Sequence, residues 1–231
     1  MKKVIIGSII PIILLIGISS SAYQIKDNKY SMNEDLVKQI SDNIPNYVSI
    51  DKIPENLKNA IVSVEDKRFF KHYGFDVLAI SRAVYKDIKE GKFKQGGSTI
   101  TQQLAKNLFL SADKKMSRKF KELILAIKLE NKYTKDQILE MYLNVIYYGS
   151  GQYGIQNASK GFFGKNVWEL SLEECAMLAG LPQAPSAYNP NKHYDRAKKR
   201  QEIVLALMRK NGFIDNQVEQ KSQKEMILAA E

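Results

Sequence analysis

A carboxylate at the edge of an apolar run is the first place in this chain where chemistry could reside. Glu65 and Asp66 follow Ala60-Ile61-Val62-Ser63-Val64 and precede Phe69, Phe70, His72 and Gly74. Partial desolvation there would raise a glutamate above its ordinary pKa of about 4.3 and suit it to act as a general base. A solvated acidic pair at a helix end accounts for the same residues equally well. Glu122 follows Arg118 and Lys119 at helical spacing, so the three side chains share one face. Such a group is either a surface ion-pair cluster or an anion-binding wall whose carboxylate orients the cations or a bound metal. A third group, Gln102, Gln103, Lys106 and Asn107, lies on a helix expected to begin near Ser98 and run to Leu110. Free amides at its start, two hydroxyls and the Lys106 ammonium would suit phosphate oxygens. The Gly96-Gly97-Ser98-Thr99 run lacks the Gly-Lys-Ser/Thr ending of a Walker loop.

These groups need helices to hold them, and the apolar pattern predicts helices. Val77, Ile80, Val84 and Ile88 recur at spacings of three and four, with Gly91 placed as a C-cap. Phe120, Leu123, Ile124 and Ile127 mark another amphipathic helix. Thr134 with Gln137 makes a capping box ahead of Ile138, Met141, Tyr142 and Val145. Ser171 with Glu174 repeats that device before Cys175, Ala176 and Ala179. A last helix is expected over about 196–210, ending near Gly212. Strand signals are weak, so the fold class is mainly α. Turn-rich segments at 148–154 and 181–190 connect the helices and are candidates to line a site.

Composition narrows the partners. The chain has 231 residues, with 35 Lys plus Arg against 25 Asp plus Glu and a formal net charge of +10. Removing Lys2 and Lys3 leaves most of that excess in the rest of the chain, which suits an anionic partner. Lys2 and Lys3 precede an apolar run from Val4 to about Ala22, long enough to cross a bilayer as a helix. Positive charge before it places the N-terminus inside the cell and the remainder outside. The expected division is a transmembrane anchor over 1–23, an extracytoplasmic tether over 24–49 and a globular domain over 50–231. A cleaved signal peptide is the alternative, because Ser20-Ser21-Ala22 resembles a small-residue cleavage site. Either way the domain is exported, and a basic surface on that side of the membrane argues against a nucleic-acid partner. A single cysteine, Cys175, allows no intrachain disulfide and reads as a buried small hydrophobe. His72 and His193 lack a zinc-ligand spacing.

Five segments, in order, carry a family resemblance. Glu65-Asp66-Lys67-Arg68-Phe69-Phe70-Lys71-His72-Tyr73-Gly74 resembles the first motif of the family 51 glycosyltransferases, the peptidoglycan polymerases. Gly97-Ser98-Thr99-Ile100-Thr101-Gln102-Gln103-Leu104-Ala105-Lys106-Asn107 resembles their second. Arg118-Lys119-Phe120-Lys121-Glu122 is similar to the third. The run from Lys135 to Asn144 is similar to the fourth, and Arg200 with Val204-Leu205 to the fifth. The set spans about 50–210, nearly the whole exported part.

The resemblance implies a lysozyme-like domain of two lobes, the smaller one membrane-associated, with a cleft for lipid II and a lipid-linked glycan strand. It implies an inverting transfer of lipid-linked MurNAc C1 to an acceptor GlcNAc 4-hydroxyl, with release of undecaprenyl pyrophosphate. In those terms Glu65 resembles the general base and Glu122 the second essential carboxylate. Lys106, Arg118 and Lys119 resemble the pyrophosphate clamp and Gln102 a nearby polar contact. Arg68, Ser98, Thr99, Gln103 and Asn107 complete the expected substrate-binding set. No tightly bound cofactor is implied, although a divalent cation, Mg or Mn, assists some members at the pyrophosphate. Anionic membrane lipids and other cell-wall synthesis proteins are the further partners that fit.

Many members also carry a penicillin-binding transpeptidase domain. None is expected here, because the chain stops soon after the fifth motif and has no Lys-Thr-Gly. Paired carboxylates also fit a membrane-attached muramidase that turns over mature glycan. A degenerate, inactive scaffold for wall synthesis is the non-enzymatic alternative. The basic helical faces and the apolar N-terminal run favour a pyrophosphate-lipid substrate.

Overall fold

Apolar side chains at helical spacing choose the architecture, and the closest helix pairs surround the end of one short helix. The structure is a computed structural model and describes residues 30–32, 35–90, 96–110 and 116–225. The expected anchor over 1–23 and the Gly91 cap lie outside the described residues. Among the described residues no helix is long and apolar enough to cross a membrane.

Helix α1 (Leu36–Asn43) is capped by Asp35, whose carboxylate accepts from the Val37 and Lys38 amides. Helix α2 (Glu55–Glu65) begins after Pro54 and buries Leu57, Ala60, Ile61 and Val62. Then come α3 (Val77–Glu90), α4 (Ile100–Phe109), α5 (Met116–Lys132) and α6 (Lys135–Val145). A hairpin of β1 (Tyr147–Gly149) and β2 (Gln152–Tyr153) leads to α7 (Ile155–Phe163). The chain continues through α8 (Leu172–Gly180), α9 (Tyr194–Lys210) and α10 (Asn216–Lys224).

Two packing groups share one apolar core. Helices α2, α8 and α9 pack mutually, and α4 packs on α5 and α6. Helix α8 is buried along nearly its whole length, so its neighbours surround it. Gly180, at its end, lets α9 approach closely: a Cβ there would stand 2.7 Å from the Cγ of Arg200. The capping boxes expected at Thr134/Gln137 and Ser171/Glu174 are both formed, each satisfying two otherwise unpaired backbone amides. The last long helix ends as expected, with Gly212 at φ +82° beyond it. Cys175 is buried, and burial pushes its thiol well above the ordinary range.

Three features depart from the pattern read in the sequence. The expected tether over 24–49 is folded from Leu36 onward. Leu36, Ile40 and Val48 are buried, and the Leu36 amide donates to the Tyr133 hydroxyl at 3.1 Å. Asn144 and Glu140 of α6 hold the following segment through the amides of Val48 and Ile50, at 2.9 and 2.7 Å. The apolar stripe of α3 is not a core face where it is described: Val77 is 59% exposed and Ile80 40%. The turn-rich aromatic segment after α6 contains the short hairpin, whose bend uses positive φ at Gly149, Ser150 and Gly151. The fold is otherwise mainly α.

The excursion containing α3 is closed at its base by two hydrogen bonds. The Ile100 amide donates to Asp66 at 3.1 Å and the Thr99 hydroxyl to the Gly74 carbonyl at 2.8 Å. Gly74, at φ +78°, lies against the backbone of α5, where a Cβ would meet Ala126 and Ile127 at 3.1 Å.

Candidate active site

Helix α2 stops at Glu65 because Asp66 turns away from helical geometry, with φ −158°. The Asp66 carboxylate accepts from the Ile100 amide and from His72 Nε2, the latter at 2.8 Å. It thereby joins the end of α2 to the start of α4 and leaves Glu65 at the junction. A cleft of about 240 Å³ opens there, lined by Glu65, Asp66, Lys67, Asp76, Ser98 and Thr99 among others.

Glu65 is the carboxylate best prepared for proton transfer. Burial pushes its pKa above the ordinary carboxylate range. The Gln103 hydrogen bond and the charges of Arg200 and Lys106 pull the other way, while Asp66 adds to the rise. Gln103 Nε2 donates to Glu65 Oε2 at 2.8 Å, and Gln103 Oε1 accepts from the Tyr142 hydroxyl at 3.2 Å. Tyr142 is fully buried, and burial raises its own pKa, so its hydroxyl keeps the proton it donates. The amide of Gln103 is thus oriented with its NH2 toward the carboxylate. A carboxylate with a raised pKa in a cleft is a stronger base than an ordinary one and is suited to accept a proton there.

The second cluster is anionic at its centre and cationic at its edge. Glu122 is buried on α5, with Arg118 at 3.4 Å from one oxygen and Lys119 at 2.9 Å from the other. Lys119 also donates to the Ser98 hydroxyl at 2.7 Å. Ser98 lines the Glu65 cleft, so this one contact brings Lys119 to the rim of that cleft. Arg68 pairs with the buried Asp76 at 3.0 Å on the same side. Burial would raise Asp76, but the Ala79 amide and then Arg68 outweigh it and hold the carboxyl below its usual range.

The remaining expected residues divide into two kinds. Thr99 and Gln102 form the capping box of α4 and are both buried; each side chain accepts from the other's backbone amide at 3.1 Å. The Ile100 amide is taken by Asp66, so the helix start does not offer the free donors read from the sequence. Lys106, partly buried, faces the Glu65 side closely enough for its charge to act on that carboxyl. Asn107 is exposed.

Arg200 stands near enough to Glu65 for its charge to act there, although the sequence offered it only as part of a motif. It donates to the Gly180 carbonyl at 3.3 Å, lies 5.6 Å from the Tyr188 ring centre, and its charge acts on Glu65. The small Gly180 was the available signal. His72 was likewise visible only as one residue of a motif, and its bond to Asp66 is tertiary.

The donor set does not fit a resident divalent cation. Both Glu122 oxygens face cations, and no group of three or more His, Cys, Asp or Glu suited to a metal occurs among the described residues. No step is therefore assigned to a protein-bound metal.

Comparison with known proteins identifies the family. The family model described as Transglycosylase matches residues 33–209. Penicillin-binding protein 1A of Aquifex aeolicus is 54% identical over 168 residues, covering 73% of this chain and 23% of that protein. Penicillin-binding protein 1F of Bacillus subtilis is 52% identical over 167 residues, covering 72% and 23%. Penicillin-binding protein 1A/1B of Bacillus subtilis is 46% identical over 196 residues, covering 84% and 21%. The chain therefore spans under a quarter of the length of these relatives. The match begins at residue 33, which agrees with a folded part that starts before Ile50. With most of its length matched by the family model and at this level of identity to three relatives, the chain belongs to the transglycosylase family.

Proposed function

We infer that the protein polymerises lipid II into linear glycan strands at the outer face of the bacterial cytoplasmic membrane. The observation that carries this reading is the partly desolvated Glu65 in a cleft whose rim residue Ser98 is bound by the cation cluster of α5. In this reaction Glu65 takes the proton of the acceptor GlcNAc 4-hydroxyl as that oxygen bonds to C1 of the donor MurNAc. The C1 bond to the lipid pyrophosphate breaks with inversion, and the electron pair leaves on the pyrophosphate. Lys106, Arg118 and Lys119 meet the charge that develops there. Glu122 holds Arg118 and Lys119 in place, and Arg200 assists from the α9 side. Pyrophosphate is a competent leaving group, so no carboxylic acid need protonate it.

Two features support a membrane-attached enzyme of two lobes. The run from Val4 to Ala22 has the length and composition of a spanning helix. The excursion from Phe70 to Tyr85 presents Phe70, Tyr73, Val77, Leu78, Ile80 and Tyr85 to solvent, an apolar concentration unusual for a surface that faces only water. A spanning anchor accounts for the first and a smaller lobe resting on the bilayer for the second.

The test is incubation of the full chain with purified lipid II, followed by separation of glycan strands and undecaprenyl pyrophosphate. Glu65→Gln should keep the circular-dichroism spectrum and lipid II binding while losing nearly all polymer. Near-wild-type polymerisation by that folded variant would overturn the reading.

A further inference from the structure

A second groove lies apart from the Glu65 cleft and shares no lining residue with it. It has a volume of about 410 Å³, within the range of about 300–1,000 Å³ for small-ligand sites. The segment leading into α2 forms one wall, through Asn46 and Lys52, and α7 with the turn after it forms the other, through Gln156, Lys160, Asn166 and Trp168. No acidic side chain lines it. The exposed side chains of Lys52 and Lys160 both line it, and apart from the charge of Lys52 acting on the adjacent Asp51, neither side chain forms a hydrogen bond or ion pair among the described residues.

Trp168, the only tryptophan in the chain, is 52% exposed. The backbone that carries this exposed indole is well anchored. The turn carrying it, Val167–Glu169, is anchored by the fully buried Val167 and by a capping box between Asn166 and Glu169. The Val167 amide donates to Gln156 Oε1 at 2.9 Å, and Gln156 Nε2 donates to Asn166 Oδ1 at 2.8 Å. Across the groove, Asn46 at φ 61° is fixed by its bond to Asn157 at 2.9 Å. A flat aromatic side chain on an anchored turn beside fixed amides lowers the ordering cost that a ligand meets.

We propose that this groove is a second glycan-binding site, taking an N-acetylated sugar strand that bears carboxylates. A pyranose ring lies its C–H face on Trp168, the side-chain amides meet acetamido groups, and Lys52 and Lys160 meet the carboxylates. A nucleic acid would need a run of phosphate contacts that this short groove lacks, and a purely acidic peptide would leave the indole unused. The identity of the glycan rests on the polymerase reading, since such a strand is that reaction's product. A grip on finished strand outside the catalytic cleft would keep the product close between transfers.

The test does not depend on turnover. The full chain is titrated with lipid-free, uncross-linked peptidoglycan strands bearing their stem peptides, and the emission of the single tryptophan is read. A saturable change is expected, with affinity for neutral N-acetylglucosamine oligomers lower by about tenfold or more. Lys52→Ala/Lys160→Ala should remove that preference for the carboxylated strand. Trp168→Ala, checked for folding by circular dichroism, should weaken binding by at least about tenfold in calorimetry. Glu65→Gln should leave the emission response intact, which separates this groove from the catalytic cleft. The proposal falls if the strands do not change the emission, or if the lysine variant keeps the preference. It also falls if polyglutamate acts as strongly as the glycan, which would make the groove a surface for an acidic protein. Failure of wild-type polymerisation with an intact emission response would overturn the polymerase reading alone.

Discussion

Replacing Gln103 with leucine tests whether the proton acceptor is tuned by its neighbour. The substitution removes the 2.8 Å bond to Glu65 and leaves the Tyr142 hydroxyl without its acceptor. A hydrogen bond to a charged group contributes about 1.5–3 kcal/mol, and about 1.36 kcal/mol is tenfold in an ionisation equilibrium, so the loss favours protonated Glu65 by about 10- to 150-fold. The sign follows from the site: burial raises the Glu65 pKa and the Gln103 bond opposes that rise, so removing the bond raises it further. The base form then requires higher pH. The acid limb of kcat/KM, measured with a soluble lipid II analogue across the range where the protein stays folded, should move upward. Activity should fall most below that limb and recover toward wild type above it. Tyr142→Phe should move the limb the same way by less, because the amide stays but loses its orientation. A uniform loss at every pH, with the limb unmoved, would refute the tuning and leave Gln103 as a contact to substrate only.

Arg118→Ala should impair transfer selectively with pyrophosphate-bearing donors, and Lys106→Ala likewise; Arg118→Lys should not fully rescue, because lysine lacks the planar five-donor fork. Comparative kinetics on donors with and without the pyrophosphate give the answer, and equal losses on both would point to a structural role. Gly74→Ala should lower stability by about 1–2 kcal/mol from its positive φ alone, and by more where the new Cβ meets the α5 backbone at 3.1 Å; chemical denaturation measures it. Removing residues 1–23 should leave a folded enzyme that is competent on a short-chain lipid II analogue but inefficient on lipid II in bilayers. Equal deficits on both substrates would show that the segment supports the site itself.

Local chemistry was legible in the sequence, and tertiary coverage was not. The boxes at Thr134/Gln137 and Ser171/Glu174 were readable because a cap is completed within four residues. Thr99 with Gln102 carries the same Thr-x-x-Gln signal, yet motif resemblance drew attention to substrate instead, and the structure places both in the cap. Helix α1 was not legible because it has only eight residues, and Leu36, Val37 and Ile40 with Ile44 at its end span too few turns to show a period. The stripe on α3 showed the opposite limit: periodicity reveals that a helix has an apolar face, not what lies against it. Glu65 was visible from its apolar flank. Arg200 was not visible as its neighbour, because the two meet only through the packing of α9 on α2 and α8.

The two hydrogen bonds at the base of the α3 excursion act like a drawstring. Asp66 meets Ile100 across 34 positions of sequence, and Gly74 meets Thr99 across 25. Helix α3 hangs from this closed neck, while Glu65 and Gln103 stand on the body side of it. The entropy of closing such a loop grows only logarithmically, about 0.6 kcal/mol for each doubling of length. Lengthening or shortening an excursion closed in this way therefore carries little entropic penalty. Under the proposed function, the surface that would rest on the bilayer can change in composition while the junction that carries Glu65 and Gln103 stays fixed.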